Sequence, residues 1–102
     1  MNIKIFNNDL PEDIDLSNEK VVALDNEALG LVLGRDPLTL VQIGLESKKY
    51  YLIKLNRENY DAPNLKNFLS TSNAQFIMHY ARQDLLWLKY HLDVELKNIF
   101  CT

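Results

Sequence analysis

The chain has a single cysteine, Cys101, with no Cys or His neighbour at metal-ligand spacing, which excludes an internal disulfide and a structural zinc site. Long apolar runs are also missing. The longest fall far short of the roughly 20 residues that would span a bilayer, and no basic-then-apolar segment opens the chain, so a soluble, cytoplasmic protein with no membrane partner is expected. Clustered positive charge is scarce too: the net charge is -3 and no basic run exceeds Lys48-Lys49. A tight, sequence-independent duplex binder needs a basic footprint that this chain lacks, so any contact with nucleic acid must be local or carried by metal. There is no internal repeat and no low-complexity segment.

What remains is an ordinary globular composition. With 102 residues, 47% hydrophobic and 25% charged, the chain can build one core and not two. Ile3, Ile5 and Phe6 suggest a short edge strand, and the polar stretch Asn7 to Lys20 reads as a surface connection whose carboxylates are solvated. Val21 to Glu27 reads as a buried strand. Ala28 to Leu33 is too apolar for a plain turn, and ligand contact and core packing are equally open to it; Gly34-Arg35-Asp36-Pro37 then supplies a turn. Leu38 to Gly44 and Lys49 to Leu55 read as two further strands, antiparallel because the link between them is short. Asp61 as N-cap and Pro63 in the first turn predict a helix near 62–70. Gln75 to Met78 reads as a strand, and 81–92 as a helix whose packing includes Leu85, Leu88, Leu92, Trp87 and Tyr90. Ile99-Phe100-Cys101 predicts a last short strand, with the cysteine packed.

Chemistry concentrates at Asp25 and Glu27. Side chains alternate faces along a strand, so the two acids point the same way at the end of an apolar run. Carboxylates held side by side repel, and the relief is a shared proton or a divalent cation. A second such triplet, Asp93-Val94-Glu95, follows a helix instead of an apolar strand and reads as solvated.

Three linked strands, then helix, strand, helix and strand, with Asp-x-Glu on the first, resemble the ribonuclease H-like architecture. Ala23-Leu24-Asp25-Asn26-Glu27-Ala28-Leu29-Gly30-Leu31 is similar to motif I of the ribonuclease D branch of the DEDD 3'-5' exonucleases. Arg35 to Ile43 resembles the second strand of that branch, His79-Tyr80-Ala81-Arg82-Gln83-Asp84-Leu85 its motif II, and Ile99 to Thr102 the segment that follows in short bacterial members. Tyr80-x-x-x-Asp84 also fits the spacing of motif III. Motif II is preferred because an apolar strand leads into His79, and on that reading Tyr80 is not the catalytic tyrosine.

The resemblance implies an α/β fold with a mixed five-stranded sheet, three antiparallel strands followed by parallel ones, cut short before the C-terminal helices. It implies that Asp25, Glu27 and Asp84 are catalytic acids holding two divalent cations, Mg2+ or Mn2+, roughly 3.5–4 Å apart. One cation would activate the attacking water and the other would stabilise the departing 3' oxygen. Leu29, with Gln42 and His79 nearby, would contact the terminal nucleotide of an RNA 3' end; a structural, hydrogen-bonded His79 is the competing reading. Residues 1–102 would be a partial exonuclease domain with motifs I and II and no motif III, poorly active or inactive alone. With both helices on one face of the sheet, the other would be bare and should seek a second copy or a separate C-terminal half. The reading from a different class is a non-catalytic interaction module or decayed relative that keeps the sheet.

Overall fold

The computed structural model describes residues 2–102. Six strands, β1 (Asn2–Asn7), β2 (Val21–Ala28), β3 (Leu38–Leu45), β4 (Lys49–Lys54), β5 (Gln75–Met78) and β6 (Ile99–Cys101), alternate late in the chain with two helices, α1 (Pro63–Thr71) and α2 (Ala81–Leu92). The strands form one sheet in the order β1-β4-β3-β2-β5-β6. β2, β3 and β4 are antiparallel neighbours joined by short connections, while β5 and β6 extend the sheet in parallel on the β2 side. The mixed α/β sheet expected from the sequence is present, with six strands where the family resemblance implied five. The sixth is the edge strand read from Ile3, Ile5 and Phe6: β1 runs parallel to β4 from Asn2 opposite Lys49 to Asn7 opposite Lys54, pairing backbone groups that β4 would otherwise present as an edge.

Alternation along the strands decides which face is covered. Val22 and Leu24 of β2, Val41 and Ile43 of β3, Ile53 of β4 and Phe76 and Met78 of β5 are buried in one core with Leu65 and Leu69 of α1 and Leu88 and Leu92 of α2. Both helices therefore lie on one side of the sheet. On the other side, one register row runs Ile3, Tyr50, Gly44, Ala23, Ile77, Phe100 and the next runs Ile5, Leu52, Gln42, Asp25. Ile3, Ile5 and Phe100 in these rows are 52%, 60% and 52% exposed, an uncovered and partly apolar face.

Several local expectations are corrected. Asp61 does not cap α1: the N-cap is Ala62, which has no side-chain cap bond. The cap comes instead from Asp9, whose carboxylate accepts hydrogen bonds from the backbone N–H groups of Asn64 (3.0 Å) and Leu65 (2.8 Å). Asn64 completes the tie by donating from its side chain to the carbonyl of Leu10 at 2.8 Å. The N-terminal connection, read as solvated, thus fastens α1. Asp9→Ala should lower stability by about 1 kcal/mol, as loss of a helix cap does, while Asp61→Ala should leave it nearly unchanged; urea unfolding midpoints at constant slope check both.

Trp87 is buried as expected, but Tyr90 is 58% exposed, because three helix positions after Trp87 leave it on the flank of α2. Cys101 is exposed on the edge strand, where its sulfur accepts a hydrogen bond from the N–H of Ala81 at 3.3 Å. No helix among the described residues is long and apolar enough to cross a membrane.

Candidate active site

The site begins with the period of β2. Val22 and Leu24 enter the core, so Asp25 and Glu27 project from the uncovered face and are exposed, while Asn26 turns toward the helices. Its side-chain amide donates to the backbone carbonyl of Asp84 in the first turn of α2 at 3.2 Å. That bond ties the end of β2 to the start of α2, bringing an acid from the helix layer beside two acids of the sheet. Two further contacts fix the strand end. The N–H of Asn26 donates to a carboxylate oxygen of Asp25 at 2.8 Å, and the hydroxyl of Thr39 donates to the carbonyl of Glu27 at 3.0 Å. Beyond Glu27 the pairing with β3 shifts register, so Ala28 lies opposite Leu38 and the chain leaves the sheet.

Asp84 feels both acids of the strand. Partial burial, the negative charge of Asp25, a hydrogen bond with the Asp25 carboxyl and the charge of Glu27 push the Asp84 carboxyl up to about 7. Placement in the first turn of a helix favours the charged form, so burial and the neighbouring acids outweigh the helix dipole here. Neighbouring negative groups repel, and a proton held on Asp84 relieves part of that repulsion. The arrangement is open: among the described residues no three His, Cys, Asp or Glu side chains are drawn tightly enough to form a ready metal cage. The donor set itself, carboxylate oxygens from two elements, is of the hard type that suits Mg2+ or Mn2+.

The other sequence-derived residues divide into two groups. Gln42 lies opposite Asp25 on β3, and both line a groove of about 390 Å³ with Tyr50, Ile77, His79 and Thr102. His79 is exposed and lines the groove, with Nδ1 3.1 Å from the hydroxyl of Thr102. Leu29 lies outside that groove. It leads the loop 29–36, in which Leu29, Leu31, Val32 and Leu33 are 65%, 80%, 46% and 41% exposed, so core packing does not account for these apolar side chains. The loop keeps its shape through a bond from the N–H of Val32 to the Asp36 carboxylate at 2.9 Å and one from the N–H of Leu29 to the carbonyl of Pro37 at 3.0 Å. Arg35 closes on the same Asp36 carboxylate at 3.0 Å, and its hydrogen bond, with the one from the N–H of Val32, holds Asp36 below the usual carboxylate range.

Asn26 and Thr39 were missed as parts of the site. A polar residue at a core-facing strand position was the available signal for Asn26; nothing local marked Thr39. The second Asp-x-Glu is a surface feature: Asp93 and Glu95 are exposed and share Lys89 at 2.8 and 3.4 Å.

Comparison with known proteins follows the same lines. The family described as 3'-5' exonuclease matches residues 3–102. Among solved structures, NrnC of Brucella melitensis with bound Mg2+ is 34% identical, with a TM-score of 0.89 over 99% of this chain and 50% of that one. The same protein bound to pGG gives the same identity and TM-score, over 99% of this chain and 49% of that one. RNase D of Trypanosoma brucei in complex with RNA U12 shares the fold, at 19% identity and a TM-score of 0.67 over 82% of this chain and 30% of that one. No curated protein sequence matches. The chain spans about half the length of the NrnC structures it matches. With the family match running from residue 3 to residue 102, and a third of the residues shared with NrnC along nearly the whole chain, this protein belongs to the DEDD 3'-5' exonuclease family.

Proposed function

We propose that the chain carries the acid-bearing half of a metal-dependent 3'-5' exoribonuclease site, which removes nucleoside 5'-monophosphates from RNA 3' ends once the site is completed. The observation that carries this reading is the approach of Asp84 from α2 to Asp25 and Glu27 on the uncovered sheet face, close enough for a carboxyl–carboxyl hydrogen bond. Asp25, Glu27 and Asp84 would hold the divalent cations, two by analogy with two-metal nucleases. Bound there, the cations would supply Lewis-acid activation and charge neutralisation for phosphodiester hydrolysis. The chain's own groups position the substrate: Leu29 and its loop offer an apolar surface to the terminal base, Gln42 offers an amide donor and acceptor beside Asp25, and His79, steadied by Thr102, offers a ring nitrogen in the groove.

Asp25 and Glu27 stand on the bare face, so whatever covers that face also encloses the site. A second copy of the chain or the remaining half of an exonuclease domain fits this requirement, and NrnC, about twice as long, supports the latter. The open arrangement of the acids favours a second reading, a non-catalytic module that keeps the sheet.

One experiment separates the two. The chain is joined to the remaining half of Brucella NrnC, folding is confirmed by circular dichroism, and release of nucleoside 5'-monophosphates from RNA is followed with Mg2+ or Mn2+. The chain alone should release little, the chimera should release product, and Asp25→Asn in the chimera should abolish release. A folded chimera without activity, or activity that survives Asp25→Asn, refutes the proposal.

A further inference from the structure

Tyr80 follows His79, a residue of the groove, and among the described residues its hydroxyl makes no hydrogen bond. It precedes α2 as the N-cap residue, with φ 49° and ψ 56° in the left-handed region, and makes no side-chain cap bond. Glycine, asparagine or aspartate would occupy such a position with less backbone strain, and the short polar residues would also satisfy a helix N–H. Its ring is 75% exposed, among the most exposed of the large hydrophobic side chains. Tyr60 provides the internal contrast. It too has positive φ, at 50°, yet it is half-buried, its hydroxyl donates to the carbonyl of Leu38 at 3.0 Å and its ring lies against His91. Strain at Tyr60 goes with packing; strain at Tyr80 holds an aromatic ring out in solvent.

What the Tyr80 ring does touch is His79. The two centroids are 4.1 Å apart with an interplanar angle of 48°. His79 is held from behind by Thr102 and lines the groove that contains Asp25 and Gln42, and Asp84 follows Tyr80 by one helical turn. The pair is thus a two-ring surface next to the groove that holds Asp25, one helical turn before Asp84.

We propose that Tyr80, backed by His79, is a stacking platform for a nucleobase of the single-stranded nucleic acid whose 3' end lies at Asp25, Glu27 and Asp84. The inference rests on the exonuclease reading of those acids. A flat, exposed aromatic face accepts any base, so the contribution is to affinity and not to sequence choice. It also compensates for the missing basic cluster: with net charge -3, strand binding cannot rest on phosphate contacts alone.

The test measures binding of a short oligoribonucleotide, carrying fluorescein at its 5' end, to the 102-residue chain by fluorescence anisotropy in Ca2+. Tyr80→Gly relaxes the left-handed backbone, so its Tm should equal or exceed that of the unmodified chain while its affinity falls about tenfold. Tyr80→Trp should retain the affinity. An oligonucleotide with an abasic residue at the stacked position should bind the unmodified chain about as weakly as Tyr80→Gly binds the intact strand. Unchanged affinity in Tyr80→Gly, a loss in Tyr80→Trp as large as in Tyr80→Gly, or no binding by the unmodified chain overturns the proposal. Should binding need Tyr80 yet persist unchanged in Asp25→Asn and without Ca2+, the platform stands and the exonuclease reading of the acids falls.

Discussion

Affinity for Mn2+ is expected to rise about tenfold for each pH unit below about 7, roughly a hundredfold between pH 5 and 7, and to level off above. The reason is competition. Asp84 retains its proton up to about 7 because of partial burial and because Asp25 and Glu27 are negative neighbours, so a cation entering among these acids must displace that proton. The same group sets an opposite trend in the stability of the metal-free chain. Its folded value lies above the ordinary carboxylate value of 3.8, so the folded state binds the proton more tightly than the unfolded state. This contribution to stability is full below 3.8, declines as the pH rises toward about 7, and is gone above. Asp84→Asn should therefore raise the metal-free Tm at pH 8 by several degrees and remove the pH dependence of Mn2+ binding along with most of the binding itself. Calorimetric titration across this pH range checks the affinity, and thermal unfolding with and without Mn2+ checks the stability.

Phe76→Ala is expected to cost about 3–5 kcal/mol, a large share of the roughly 5–15 kcal/mol that holds a domain folded. Phe76 is fully buried on β5 and meets Phe68 of α1 edge-on at 5.7 Å, so its loss opens a cavity between the sheet and a helix. Phe100, on the adjacent strand but on the bare face, is 52% exposed, and Phe100→Ala should change the stability of this chain by about 0.5 kcal/mol or less. Urea unfolding of the two variants compares the faces directly: similar losses would mean that the face bearing Phe100 is not bare in solution.

Elements with a clear period were legible in the sequence. Val22 and Leu24 against Asp25 and Glu27 revealed both the strand and its acidic face, and Leu88 with Leu92 marked the inner side of α2. What escaped depends on partners distant in the chain. Asp61 stood nearest the start of α1 and was read as its cap, but Asp9, more than fifty residues upstream, fills that role. The parallel pairing of β1 with β4 joins segments 47 positions apart, which alternation of Ile3 and Ile5 cannot specify. Tyr90 was assigned to the helix packing because periodicity gives a stripe without its width; the inner stripe ends at Trp87 and His91. Within the site, Asp-x-Glu was visible from alternation alone. Asp84 came only through the resemblance of His79 to Leu85 to a family motif, because the bond from Asn26 that brings its helix turn to the strand has no signature along the chain.

Joint binding of a divalent cation by Asp25, Glu27 and Asp84 can be read by adding substoichiometric Mn2+ to the 15N-labelled chain at pH 8 and recording paramagnetic broadening of the amide signals. Residues 25–27 and 84 should broaden first, and Asp25→Asn should abolish the effect there. Broadening that is absent, or centred instead on Asp93 and Glu95, would contradict such joint binding.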